Sequence, residues 1–179
     1  SNVFGQTINR YGTTAANFLE IGVGSRATSM GDAYVAVAND VSSIYWNPAG
    51  LSNVSNSSAL FMVQPWLVDI DMLFAGGAVV VPNVGVLGLG ITHLDYGEMD
   101  VTNLEYQDGT GERFGASDMA ATFTFSRKIV SWFSFGSSMK YISSNIWHSS
   151  ASAFAVDLGV LVNTKFFSFT GNDKDGMNI

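Results

Sequence analysis

Ser117-Asp118-Met119-Ala120-Ala121-Thr122-Phe123-Thr124-Phe125-Ser126-Arg127-Lys128 is the stretch that decides the fold. Its odd positions carry Met119, Ala121, Phe123 and Phe125, and its even positions Asp118, Ala120, Thr122, Thr124 and Ser126. Successive side chains leave a strand on opposite sides, so this period of two predicts an extended strand with one greasy face and one small, polar face. The pattern recurs downstream. Phe133, Phe135, Met139 and Tyr141 alternate with Ser134, Gly136, Ser138 and Lys140, and Phe154, Val156, Leu158, Val160 and Val162 alternate with Ala153, Ala155, Asp157 and Gly159.

Outward from that stretch, strands are expected at residues 58–64, 71–81, 84–95, 117–128, 132–144 and 150–164. Several run to roughly 10 to 12 residues, beyond the usual 5 or 6 of globular sheets and close to the 9–11 of a tilted membrane-spanning strand. The links at 65–70, 82–83, 96–116, 129–131 and 145–149 alternate between longer and tight. Residues 72–94 lack Asp, Glu, Lys and Arg, a run long enough to suggest a transmembrane helix. Pro82-Asn83 at its middle and Gly76, Gly77, Gly85, Gly88 and Gly90 argue instead for two strands folded at Pro82-Asn83.

Long alternating strands with short turns at one end and longer loops at the other predict an all-β fold, a transmembrane antiparallel β-barrel. Trp66, Tyr96, Trp132 and Trp147 fall at strand ends, where an interfacial aromatic belt would place them. The competing reading is a soluble β-sandwich. Its water-facing side would carry Lys, Glu and Thr, whereas the polar face here is mostly Gly, Ala and Ser.

Composition points the same way. Charged residues make up 13% of the 179-residue chain, against about 25% in an average soluble domain. There are 19 glycines, and the mean hydropathy is +0.22. A net charge of −7 argues against a nucleic-acid partner. The absence of cysteine excludes disulfide frameworks, zinc ribbons, iron–sulfur clusters and thiol catalysis. Residues 1–11 have no basic segment followed by an apolar core, which fits either a cytosolic protein or a signal peptide already removed.

The first 55 residues differ in kind. Residues 25–38 are rich in Gly and Ala without strict alternation, and Asn47-Pro48-Ala49-Gly50-Leu51 reads as an N-cap followed by Pro at the first position of a short helix. Three runs carry a resemblance: Phe18-Leu19-Glu20-Ile21-Gly22-Val23-Gly24-Ser25-Arg26-Ala27, Met30-Gly31-Asp32-Ala33-Tyr34-Val35-Ala36-Val37-Ala38-Asn39-Asp40 and Tyr45-Trp46-Asn47-Pro48-Ala49-Gly50-Leu51. They resemble the N-terminal region of the PorV/PorQ family of outer-membrane proteins, relatives of the FadL long-chain fatty-acid channels. The likeness continues through residues 115–118, 139–144 and 153–161.

That resemblance implies two regions. Residues 1–55 would form a plug with short helices, its motif Gly31, Asp32, Asp40, Trp46, Asn47, Pro48 and Gly50, with Asn47 and Pro48 closing a turn against the wall. Residues 56–179 would supply the first six to seven strands of a FadL-like barrel that has fourteen in full family members. Gly171-Asn172-Asp173-Lys174-Asp175-Gly176 resembles the turn before a seventh strand. An open half-barrel leaves two unpaired edges in hydrocarbon, each unsatisfied group costing several kcal/mol. The chain is therefore expected to be the N-terminal part of a longer protein, or to have its barrel completed by another chain.

Candidate sites follow from the strand pattern. By the alternation Asp118, Lys128, Lys140 and Asp157 point into the lumen, where Thr124 would also meet water. The expected partner-binding loop gathers Tyr96, Glu98, Asp100, Glu105, Asp108, Glu112 and Arg113; a solvated loop, or a contact with calcium or cargo, explains its charge. Catalytic signals are weak. Gly22-Val23-Gly24 lacks the third glycine of a dinucleotide loop, Thr28 standing in its place. His93 and His148 have no partner at metal-ligand spacing, and Asp69 and Asp71 read as a solvated pair.

No enzyme activity, cofactor or metal is therefore expected. The resemblance implies a bacterial outer-membrane barrel tied to protein secretion of the type IX kind, binding secreted cargo or the translocon. A FadL-like channel for a hydrophobic small molecule and a soluble β-rich adhesin remain open beside it. The expected partners are outer-membrane lipid, the translocon or cargo protein, and a possible hydrophobic ligand.

Overall fold

The computed structural model describes residues 16–66, 70–101, 110–164 and 177–178. One antiparallel sheet runs in chain order through β1 (Ser58–Pro65), β2 (Asp71–Val81), β3 (Gly85–Asp100), β4 (Arg113–Val130), β5 (Phe133–Ile146) and β6 (Ser149–Thr164). A two-residue β7 (Met177–Asn178) pairs with the end of β6, so β1 and β7 form the edges. Among the described residues no ladder joins those edges. No described helix is long and apolar enough to cross a membrane, a statement that leaves strands untouched. The expected turn at Gly171–Gly176 and the residues before Ala16 lie outside the described residues.

The turn at Pro82-Asn83 forms as expected. Asn83 takes a left-handed φ of 64°, which Asn tolerates better than most residues, and the Val84 amide donates to the Val81 carbonyl at 3.1 Å. Two links differ from expectation. The loop at 96–116 is shorter, because β3 continues to Asp100 and β4 begins at Arg113, a ladder that satisfies backbone groups a loop would leave to water. The link at 145–149 contracts to Trp147 and His148, with Trp147 at a left-handed φ of 50°. Longer and tighter links therefore do not alternate throughout the sheet.

Strand register aligns small residues in rows on one face. Gly76, Gly90 and Thr122 share one row; Gly88, Thr124 and Ser138 the next; Ser126, Gly136 and Gly159 the third. The opposite face is greasy and uncovered, with Phe154 76% and Leu158 73% exposed beside Phe61, Leu89 and Phe123.

The N-terminal segment lies on the small-residue face. It comprises a 3-10 turn at Asn17–Glu20, α1 (Ser25–Ser29), α2 (Ser43–Trp46) and a second 3-10 stretch at Pro48–Asn53. Pieces of 4 to 6 residues are far below the length at which an isolated helix is stable, so packing must hold them. Phe18, Val23, Val41, Ile44 and Leu51 from this segment form one core with Met72, Phe74, Leu94, Ala120 and Ile142 from the sheet. This overturns the expected wet face: Thr124, Ser126, Ser134 and Ser138 are buried, because the segment occupies the space water would have filled.

The fit extends to the backbone. A Cβ added at Gly136 would lie 2.3 Å from the Pro48 carbonyl carbon and 2.4 Å from the Ala49 nitrogen, and neither backbone atom can swing aside. Gly136→Ala is therefore expected to cost about 1–3 kcal/mol, as overpacking does, and to lower the urea midpoint. Gly77→Ala is the control. Its Cβ would meet nothing nearer than the Ser58 carbonyl oxygen at 3.9 Å, so the midpoint should hold.

Candidate functional site

The seat of the Asn47 turn is the best-defined site in the chain. Asn47 is 5% exposed and sits where α2 ends and the Pro48–Asn53 stretch begins. Its Oδ1 accepts from the Ala49 amide at 3.0 Å, which caps that stretch, with Pro48 at the first position. Its Nδ2 donates to the Val35 carbonyl at 3.1 Å and to the Val160 carbonyl of β6 at 3.2 Å. One amide thus ties its own turn, the preceding loop and the wall. Ser126 of β4 donates to the Ala49 carbonyl at 3.1 Å, and a Cβ at Gly159 would stand 2.3 Å from Asn47 Oδ1.

The two residues before Asn47 anchor the approach to the turn. The Trp46 indole N–H donates to the Val23 carbonyl at 2.9 Å. The Tyr45 hydroxyl lies 2.7 Å from the Leu19 carbonyl and 2.8 Å from that of Ile21, and its ring meets Phe74 of β2 edge-on. Burial, then the nearby carboxylates of Asp32 and Glu20, push the Tyr45 phenol up, which keeps it a proton donor.

Other motif residues shape the segment itself. Gly31 and Asp32 both take left-handed φ, 61° and 64°, and turn the chain after α1. Asp40 accepts from the Ser42 amide at 2.8 Å, near the start of α2, and receives Arg26 at 3.2 Å. Arg26 also lies over the Tyr34 ring. Gly50 has no room for a side chain: its Cβ would stand 2.4 Å from the Ala38 carbonyl oxygen.

The four residues expected to face the lumen divide. Lys140 Nζ and Asp157 Oδ2 pair at 2.6 Å across β5 and β6, the lysine mostly buried, beside a cleft of about 450 Å³ that Trp46 and Asn47 also line. Asp118 accepts from the Tyr96 hydroxyl at 2.7 Å and from the Ser144 hydroxyl. Lys128 stands exposed at the rim, beside a second cleft that Asn53 and Val54 also line. These charges therefore sit in two separate polar contacts and a rim position rather than in one network.

The expected loop residues divide too. Arg113 pairs with Glu98 at 3.2 Å and Asp100 at 3.0 Å at the loop end of the β3–β4 hairpin. A bulge between Asp95 and Glu98 precedes them, with Gly97 at a φ of 71° and its amide donating to the Asp95 carboxylate. Glu112 is exposed just before β4, Tyr96 belongs to β3, and Glu105 and Asp108 lie outside the described residues. Trp66, Trp132 and Trp147 are exposed at strand ends, Trp132 at the end opposite the other two. His148 stacks on Trp147. Among the described residues no three His, Cys, Asp or Glu side chains gather to hold a metal.

A family model described as type IX secretion system protein PorV matches residues 5–179. The chain belongs to that family. The match takes in both the N-terminal segment and the sheet, and membership makes this a type IX secretion-associated protein. Comparison with curated proteins returns no match. Sequence reasoning picked out Asn47 and Pro48 but missed their receptors, Ser126, Gly136 and Gly159. Their only signal was the small-residue side of the strand alternation.

Asn47→Ala removes the cap, leaving the buried Ala49 amide and the part-buried Val160 carbonyl without that partner. The expected loss is roughly 2–4 kcal/mol, combining a cap with buried unpaired groups. Urea titration of the folded protein reads this directly, and a change below about 0.5 kcal/mol, the scale of an ordinary surface substitution, would refute the assigned bonds.

Proposed function

We propose that this type IX secretion protein is an outer-membrane β-barrel that works by binding, presenting its longer hairpin end to secreted cargo or to the translocon. The observation that carries the reading is the inverted sheet. Its small, polar face is buried under the N-terminal segment, whereas Phe61, Leu89, Phe123, Phe154 and Leu158 form the uncovered face. In water such a face would be an unusually large apolar patch; in hydrocarbon it is at home. The N-terminal segment then acts as the plug. Because it fills the space along the inner wall, recognition is better served by the hairpin ends than by a route through the lumen, which also makes the hydrophobic channel the weaker reading.

Two measurements test this. Phe123→Arg places a charge on the proposed lipid face and should cost about 2–4 kcal/mol if Phe123 lies near the midplane, depleting the protein from outer-membrane fractions. A soluble sheet would tolerate arginine at this half-exposed position with little change in yield. Replacing residues 101–112 by a short Gly/Ser linker should preserve assembly, since closure entropy changes slowly with loop length, while export and co-purification with secretion components are lost. Unchanged export from the shortened hairpin would remove the proposed contact surface.

A further inference from the structure

The way the plug is held bears on how a secretion barrel can operate. We infer that α2 and the Pro48–Asn53 stretch stay seated on β3 to β6 throughout the working cycle, so that partners are engaged without the plug–wall interface opening. The inference rests on the proposed secretion role and specifies which part of the molecule does not move.

A segment built to open has few buried apolar contacts and backbone groups that water can satisfy. This interface has the reverse. Ile44 and Leu51 are 1% and 0% exposed, and Ala49 is 0%. Both hydrogens of the Asn47 amide are committed, one to the plug at Val35 and one to the wall at Val160. The Ala49 carbonyl is held by Ser126. The Asn47–Val160 and Ser126–Ala49 bonds would both be lost on unseating. The wall is also shaped to the turn: a Cβ at Gly88 would lie 2.7 Å from Leu51 Cδ2, and those at Gly136 and Gly159 would collide with Pro48 and Asn47. A surface this specific to one occupant forms no equivalent contact with the plug displaced. The outer side of the plug is different, since Met30 and Val35 are about half exposed, and the inference does not extend to residues 24–37.

The geometry supplies a lock. A Cβ built on Gly90 of β3 lies 3.8 Å from the Cβ of Ile44 in α2, the separation typical of a disulfide, and cysteine at 44 removes the Cγ2 that would crowd it at 2.9 Å. These 179 residues contain no cysteine, so within them the pair Ile44→Cys/Gly90→Cys has no competing partner. Expressed in the native host as the sole copy, the oxidised pair should show a reductant-sensitive gel shift and export the same quantity of protein as the reduced pair. Export that stops on oxidation and returns with reductant would overturn the inference while leaving the secretion role standing. Failure of the pair to cross-link would overturn it as well, since the two Cβ atoms would then not be neighbours in the membrane. Amide exchange on the unmutated protein gives a second reading: protection of residues 43–51 should be equal in resting and actively exporting membranes, and its loss during export would overturn the inference. If deletion of the protein leaves export intact, the secretion reading fails, and exchange with and without isolated secretion components still decides whether the plug moves.

Discussion

The structure depends on the close approach of one turn to one wall. At Asn47 to Leu51 the chain comes within van der Waals distance of strand backbone, which is possible only where the strands carry glycine or serine. N-terminal segment and sheet therefore specify each other. Helical pieces of 4 to 6 residues have no stability alone, and a sheet face of glycine, serine and threonine has little apolar surface to bury against anything without a matching contour. At this turn, shape complementarity at backbone scale adds to the interlocking apolar core that Phe18, Ile44 and Leu51 form with Met72, Phe74 and Leu94.

Polar groups inside this interface are handled by pairing. Thr124 and Ser138 share a hydrogen bond at 2.8 Å, Ser126 reaches the plug, Lys140 meets Asp157, and Asp118 takes two hydroxyl donors. Short hydroxyl side chains suit the task, since they satisfy a neighbour without demanding volume. The low charge content of the chain follows from the same arrangement. One face is apolar, the other lies against the N-terminal segment, and most described ion pairs fall at the edges of that segment or at the loop end of the β3–β4 hairpin.

Much of the architecture was legible from residue order. Period-two patterning from Met119 to Ser126 gave the strand and both its faces, Pro82-Asn83 gave a turn, and Asn47-Pro48 gave a cap. What escaped reading has physical causes. Small polar residues suit a wet lumen and a tightly seated plug equally well, and only the long-range approach of Pro48 to Gly136 separates the two. Residues 96–100 and 113–116 looked like loop because Gly97, Glu98, Asp100, Arg113 and Gly115 break up the apolar alternation. Trp147-His148 carries none of the Gly or Asn that usually announces a two-residue turn. The pairing of Asp118 with Tyr96 and Ser144 depends on register, which no local pattern encodes.

That interruption in the alternation has its own consequence. In a strand, side is parity, and the extra residue at Gly97 changes the parity of everything after it. Before the bulge the odd residues Leu89, Ile91 and Asp95 share a side with Phe123 and Met119; after it, even residues Glu98 and Asp100 take that side, opposite Gly115 and Arg113. The acidic pair thus arrives beside its arginine, and Met99 turns with Phe114 toward the inner side. A single inserted residue swaps the two faces of the strand end relative to the strand before it, so Glu98, Asp100 and Arg113 lie on the outer side and Met99 and Phe114 on the inner. Evolution can therefore re-aim the ends of these two strands by moving one residue, without altering the rest of the sheet.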